Sequence, residues 1–366
     1  MTQQNNGEIR VYIGTYTKGR SEGIYVYRMD ESSGALEFIS ETEGGDNPAF
    51  LAIDPQQRYL YAVNEVGTFA DKPGGAVSAF SIDPKTGELT YLNQQPTHGA
   101  GPCYLSVDQT SRFVLVANYS GGSVSVLPIQ SDGKLGEITD FVQHEGSSVN
   151  SRRQSSPHAH SIVLDGANRY AFVPDLGLDK IMIYKLDLAN GKLKPNDEPW
   201  AKVKSGSGPR HFTFHPNSKY AYVINELDST LTGFAYDGER GSLREIQAVP
   251  TLPEDFSEIS HCADVHISLS GKFIYGSNRG HDSIVIFQID EETGKLTYVG
   301  HESTQGKNPR NFAIDPTGEF LLAANQNTNN IVIFRINQQT GKLIPTGHVT
   351  EVPMPVCLKM IRVSSG

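Results

Sequence analysis

Cysteine and charge are both in short supply in this chain. Cys103, Cys262 and Cys357 are the three cysteines in 366 residues, and no two stand in a C-x-x-C spacing. That excludes a disulfide-stapled scaffold and a zinc knuckle, and it points to reduced thiols in a cytoplasmic compartment. Charged residues are 20% of the chain, far below the level of a disordered polymer. Lysine and arginine number 31 against 41 aspartates and glutamates, and the net charge of −10 argues against a nucleic-acid surface or an anionic membrane as partner. No run approaches the ~18 consecutive apolar residues of a membrane span. The leading MTQQNNGEIR also lacks the apolar stretch of a secretion signal, so a soluble intracellular protein is expected. A G-x-S-x-G nucleophile elbow is missing too, and Gly121-Gly122 sits between two strand patterns, where it reads as a turn and not a phosphate loop.

What the chain does contain is one phrase that returns from end to end. It runs NPAFLAIDPQQRYLYAVNE from Asn47, GPCYLSVDQTSRFVLVANY from Gly101, SPHAHSIVLDGANRYAFVPD from Ser156 and GPRHFTFHPNSKYAYVINE from Gly208. SHCADVHISLSGKFIYGSNR from Ser260, NPRNFAIDPTGEFLLAANQ from Asn308 and a truncated MPVCLKMI from Met354 complete the series. The second residue of each phrase recurs every 46 to 55 positions, a propeller-like period. Within each unit apolar residues alternate, as at Tyr59, Tyr61 and Val63, and turns such as DPKTGEL, EETGKL and QQTGKL separate the runs.

Each unit therefore holds four short strands and no helix. At the N-terminus IRVYIGTYT, GIYVYRM and ALEFISE match strands two, three and four, whereas the C-terminal VCLKMI matches strand one. The expected fold is an all-β, seven-bladed propeller of four antiparallel strands per blade, spanning 8–363 as a single domain. Its last blade is closed by N-terminal strands plus a C-terminal strand, which a solenoid with distinct caps would not need.

In a propeller the first strand of each blade lines the central channel. Three residues after the anchor the series reads Leu51, Leu105, His160, Phe212, Asp264, Phe312 and Leu358, and two places further His266 stands among apolar residues. A buried polar side chain costs about 1 to 3 kcal/mol unless paired, so His160, Asp264 and His266 need a reason to be there. A channel hydrogen-bond network is the plain reason for Asp264 and His266. The position directly after the anchor holds His158, Arg210 and Arg310, and the residue ending the second strand is Glu65, Tyr119, Asp175, Glu226, Arg279 or Gln326. Both positions belong to one rim.

Arginine forks suit a carboxylate or phosphate, histidine near neutral pH accepts a proton from water, and Glu226 would do so if burial raised its pKa. An arginine aimed at a carbonyl oxygen stabilises the charge that develops on attack. Together these groups describe hydrolysis of an ester or lactone by activated water. His160, Glu226, Arg279 and His158 are the candidate catalytic residues, and Arg210, Arg310, Asp264, His266 and Glu65 the candidate substrate-binding ones. His158 and His160 are placed on opposite strand faces, unable to chelate as a pair, whereas Asp264 and His266 share one face with His160 nearby; no required metal and no cofactor are expected.

The phrases PHAHS (157–161), GPRH (208–211), NEL (225–227) and SNRG (277–280) resemble the lactonase family of seven-bladed propellers, typified by bacterial 6-phosphogluconolactonase. Fungal muconate-lactonizing enzymes are similar. The resemblance covers nearly the whole chain, and it implies hydrolysis of 6-phospho-D-glucono-1,5-lactone to 6-phospho-D-gluconate in the pentose phosphate pathway. It places the family's active-site groups on the histidine of PHAH, either His158 or His160, and on Arg210, Glu226 and Arg279. The implied partner is a small anionic sugar lactone, acted on by a monomer or weak homo-oligomer. Two other readings stand beside it. A muconate-type cycloisomerase would use the same arginines on a dicarboxylate without consuming water, and a non-catalytic propeller scaffold would present apolar rim residues to a protein.

Overall fold

Runs such as YLYAVN at Tyr59–Asn64 and FVLVAN at Phe113–Asn118 are apolar at almost every position, the composition of a strand covered on both faces. In the computed structural model, which describes residues 8–363, each is the second strand of a four-stranded antiparallel blade. The fourth strands, such as Leu89–Pro96 and Ser242–Pro250, are more polar and partly exposed. This gradient is what radially arranged sheets require, because their flat faces pack on neighbouring blades while the outer edges meet water.

Seven such blades are present among the described residues. Their innermost strands are Pro48–Ile53, Pro102–Val107, Val163–Leu164, Pro209–Phe214, His261–Ile267, Pro309–Ile314 and Pro355–Val363. The last comes from the C-terminus and pairs antiparallel with Glu8–Thr15, from Glu8 opposite Val363 to Thr15 opposite Pro355. Ile24–Met29 and Leu36–Thr42 complete that blade, so both ends of the chain close the ring as the repeat arithmetic requires.

Two local devices repeat around the ring. Where the first strand turns into the second, an aspartate caps the turn: Asp54 Oδ1 accepts the N–H groups of Arg58 and Tyr59 at 2.6 and 2.8 Å, and Asp108 Oδ1 those of Arg112 and Phe113 at 2.7 Å. Between blades, a second-strand tyrosine hydroxyl donates to the glycine carbonyl of the neighbour's outer hairpin. Tyr12 reaches Gly87 at 3.0 Å, Tyr61 reaches Gly133 at 3.0 Å, Tyr222 reaches Gly294 at 2.8 Å and Tyr275 reaches Gly341 at 2.9 Å. Gly294 has φ +70°, and a Cβ there would lie 2.5 Å from the Tyr220 ring, so the G of EETGKL is required both by backbone geometry and by the neighbouring blade.

A third device positions the site. In four first strands the pairing skips one residue after the proline: from Pro48 to Phe50, Pro102 to Tyr104, Pro209 to His211 and Pro309 to Asn311. The skipped residues, Ala49, Cys103, Arg210 and Arg310, leave the ladder. A bulge re-aims its side chain, and here it turns two arginines toward the mouth of the channel.

Candidate active site

The same bulges change which residues face the channel. Phe50 stacks on Tyr104 with ring centroids 4.1 Å apart, Tyr104 meets His211 at 5.2 Å, and His211 meets His160 at 5.4 Å. His211 Nδ1–H donates to Asp264 at 2.7 Å, Asn311 Nδ2–H donates to the same carboxylate, and Asn311 Oδ1 accepts from the Leu358 backbone at 2.7 Å. One layer across the channel is thus built by Phe50, Tyr104, His160, His211, Asp264 and Asn311. Leu51, Leu105 and Leu358, expected in the same row as His160 and Asp264, pack in the apolar cores of the blades. The difference is one of register. The blade anchored at Pro157 has no ladder on its first strand before Val163, and the His261 strand is irregular between Cys262 and Val265, so His160 and Asp264 fall in step with residues one place earlier elsewhere.

Asp264 and His266 do not join the arginines. The Asp264 carboxylate is saturated by His211, Asn311, His266 Nε2–H at 3.0 Å and the Val265 backbone at 2.9 Å. Burial would raise its pKa, but the two histidines and their hydrogen bonds outweigh that and hold it well below the usual range. With Phe50, Tyr104, Phe214 and Lys359, these residues line a cavity of about 320 Å³ toward the end of the channel where the first strands finish. Asp264 and His266, read from the sequence as substrate-binding candidates, thus stand apart from the arginines: Asp264 ties the blades together, and His266 faces the far cavity.

At the near mouth Glu226, just past the strand Tyr220–Asn225, is gripped by three guanidiniums. Arg153 Nη2 lies 2.6 Å from its carboxylate, Arg279 Nη2 2.8 Å and Arg210 Nε 3.0 Å. Burial alone would push the Glu226 carboxyl up, yet the charges of Arg279 and Arg210 and the Arg153 hydrogen bond hold it well below the carboxylate range. The condition set for Glu226 as a base, a raised pKa, is therefore not met. Arg210 is only 1% exposed and also donates to the Ala263 carbonyl. Burial and the like charges of Arg279 and Arg310 push its pKa down to about 10, still cationic at neutrality. Enclosed in this way, it braces Glu226 from the channel wall and offers no open fork to a substrate. Asp175, another rim carboxylate, turns inward to accept from His144 Nδ1 at 2.6 Å and the His158 backbone at 2.7 Å.

His158 and His160 share a side. Both rings meet Tyr119, His158 stacked at 4.6 Å and His160 edge-on at 5.1 Å. Residues two apart in a regular strand would share a face in any case, and here the segment is irregular, with one isolated bridge from Ala159 to Asp175, so the expected opposition is wrong. His158 Nδ1–H donates to the Tyr119 carbonyl at 3.0 Å; a carbonyl only accepts, so the neutral ring carries its lone pair on Nε2. His160 is buried, and burial together with the Arg210 charge holds its pKa well below 6.5. Its Nδ1 is 3.6 Å from Cys103 Sγ, a thiol that burial pushes far up and keeps protonated. Among the described residues no group of three metal-ligating side chains occurs.

Across the mouth, the Arg310 guanidinium lies over the Tyr16 ring at 5.4 Å, and the Tyr16 hydroxyl donates to Glu65 at 2.8 Å. One chamber thus collects Glu226, Arg279, Arg210, His160, Arg310 and Glu65, with His158 beside it on Tyr119.

Residues 10–360 match the family described as "Lactonase, 7-bladed beta-propeller". This chain belongs to that lactonase family. It is 40% identical over 350 residues to a 6-phosphogluconolactonase of Bacillus subtilis, covering 96% of this chain and 97% of the relative. A 6-phosphogluconolactonase of Formosa agariphila is 40% identical over 312 residues, 84% of this chain and 86% of that one. The solved structure of a periplasmic gluconolactonase from Pseudomonas aeruginosa superposes with a TM-score of 0.92 at 35% identity, covering 97% of this chain and 99% of its own.

Three residues of the channel and its mouth escaped the repeat pattern. Arg153 comes from the stretch 144–162, where the strand periodicity lapses; its signal was the basic pair in NSRRQ just before PHAH. Tyr16 belongs to the YIGTYT phrase but stands beyond Glu8–Thr15, and His211 sat in a row that the bulge converts from blade interior to channel.

Proposed function

We propose that this lactonase opens 6-phospho-D-glucono-1,5-lactone with water to give 6-phospho-D-gluconate. Family membership and the two relatives that bear this enzyme's name support the substrate class. The observation that carries the chemistry is a buried histidine held neutral beside a carboxylate locked by three arginines. Neutral His160 takes a proton from water as the oxygen attacks the lactone carbonyl carbon. Negative charge grows on the carbonyl oxygen, where Arg279 donates from a water-poor chamber. As the tetrahedral adduct collapses, the carbon to ring-oxygen bond breaks, and the imidazolium returns its proton to the departing ring oxygen. No covalent enzyme intermediate forms. Glu226 faces the imidazolium and offsets its charge, while Arg153 and Arg210 keep that carboxylate in place.

The test is hydrolysis of freshly made lactone, with spontaneous opening subtracted and a metal chelator present throughout. His160→Ala, Glu226→Gln and Arg279→Ala should each lower kcat/KM by about 100-fold or more. Unchanged rates in all three would end the proposal.

A further inference from the structure

Four arginines, Arg153, Arg210, Arg279 and Arg310, stand at this mouth with the carboxylates of Glu226 and Glu65, while the third rim carboxylate, Asp175, is turned onto His144 and the His158 backbone. Three of the four converge on Glu226. Arg310 does not. Among the described residues it has no carboxylate within 4.0 Å and no hydrogen-bond partner, and its nitrogens are not sealed from solvent. A planar set of N–H donors therefore opens on the chamber with nothing to receive it.

The fork is also held in place. The bulge between Pro309 and Asn311 turns the side chain inward, the Tyr16 ring supports the guanidinium at 5.4 Å, and Tyr16 is tied to Glu65 at 2.8 Å. Its charge lowers the pKa values of His160, Arg210 and Arg279, as it must if it faces the same chamber. Even with Asp175 counted beside Glu226 and Glu65, the four arginines leave the mouth positive, inside a protein whose net charge is −10. A phosphate monoester near neutral pH carries about −1.5 to −2, which matches that excess in sign.

We infer that Arg310 is the phosphate-holding residue of the site and sets its preference for phosphorylated over unphosphorylated lactones, leaving the Arg279 side of the chamber to the carbonyl. A guanidinium presents paired donors that match the oxygens of a phosphate, and of the four at this mouth Arg310 alone has all of them free among the described residues. The inference rests on the lactonase reading above.

The experiment compares kcat/KM for 6-phosphogluconolactone and for glucono-1,5-lactone in the wild type, Arg310→Gln and Arg310→Lys. A charge-assisted contact of this kind corresponds to about 10- to 100-fold, so the ratio of phosphorylated to plain lactone should fall by that factor in Arg310→Gln. Most of the fall should appear in KM for the phosphorylated substrate, with partial recovery in Arg310→Lys. A parallel fall for both lactones, or an unchanged ratio, overturns the inference. If Arg310→Gln fails to fold, the Arg310→Lys ratio decides by the same criterion. Calorimetric titration with inorganic phosphate separates this claim from the activity: phosphate binding that weakens about tenfold or more in the variant supports it even if the enzyme hydrolyses neither lactone, and equal binding, or none in the wild type, overturns it.

Discussion

Arg279 Nη2 stands 2.8 Å from the Glu226 carboxylate, although the two residues come from successive blades. They occupy equivalent places: Glu226 directly follows the second strand Tyr220–Asn225, and Arg279 ends the second strand Phe273–Arg279. Opposite charges at one repeat position are thus brought together by ring closure alone. Arg210, on the first strand of the Glu226 blade, and Arg153, on an irregular stretch, then complete the grip on the carboxylate.

Arg153 is a third exposed, yet it bonds both Glu226 and the Tyr119 hydroxyl. Arg153→Ala should leave unfolding midpoints close to wild type, because an exposed arm contributes little to stability. It should lower kcat/KM for the lactone about tenfold as Glu226 and Tyr119 loosen. Steady-state kinetics beside a thermal melt checks this; a large loss of stability with normal kinetics would contradict it.

The pH profile follows from His160. Burial and the arginine charges hold its pKa below 6.5, and its neutral form is the active one. Activity should therefore persist as pH falls through 6.5 and decline only further toward acid. Replacing Arg310 with glutamine removes one of the charges that depress His160, so the acidic limb should move toward higher pH. A wild-type limb centred at or above pH 6.5 would count against His160 as the base.

Stability should depend on pH through His211. Burial and the Arg210 charge outweigh its Asp264 partner and hold its folded pKa at about 4, against about 6.5 in the unfolded chain. Between those values the unfolded state binds a proton that the folded state refuses, so stability is complete above pH 6.5 and falls as pH drops toward 4. The slope from this one group approaches about 1.4 kcal/mol per pH unit. Urea unfolding at pH 7 and pH 5 measures it, and His211→Phe should narrow the difference.

The blade-to-blade contacts make a graded prediction. Tyr222→Phe deletes the 2.8 Å bond to the Gly294 carbonyl and should cost about 1 kcal/mol. Gly294→Ala forces φ +70° on a residue with a Cβ and drives that carbon into Tyr220, so it should cost more, about 2 kcal/mol or above. Denaturant midpoints of the two variants give the order, and a smaller effect for Gly294→Ala would be inconsistent with this packing.

The ring was legible because its signals are local or strictly periodic. Glu226 and Arg279 could be grouped from the sequence because both end a second strand, and no irregularity intervenes there. His160 and Asp264 were noticed for the right oddity but assigned to the wrong row, since a one-residue bulge reverses which side chains face inward. His211 was passed over for the same reason. For Arg153 the basic pair in NSRRQ was the one local signal, and its place depends on how a stretch without ladder pairing folds over Tyr119.

Period, alternation and turn residues by themselves determined that this chain forms seven blades and joins its two ends in one of them, because each of those constraints acts within a few residues or repeats unchanged. The tertiary structure alone decided that Arg210 is enclosed with Glu226, that Asp264 serves the channel wall, and that Arg310 keeps its donors open. Those outcomes turn on a few ångströms between side chains from different blades, and on competition among neighbouring charges for one carboxylate, which no spacing along the chain encodes.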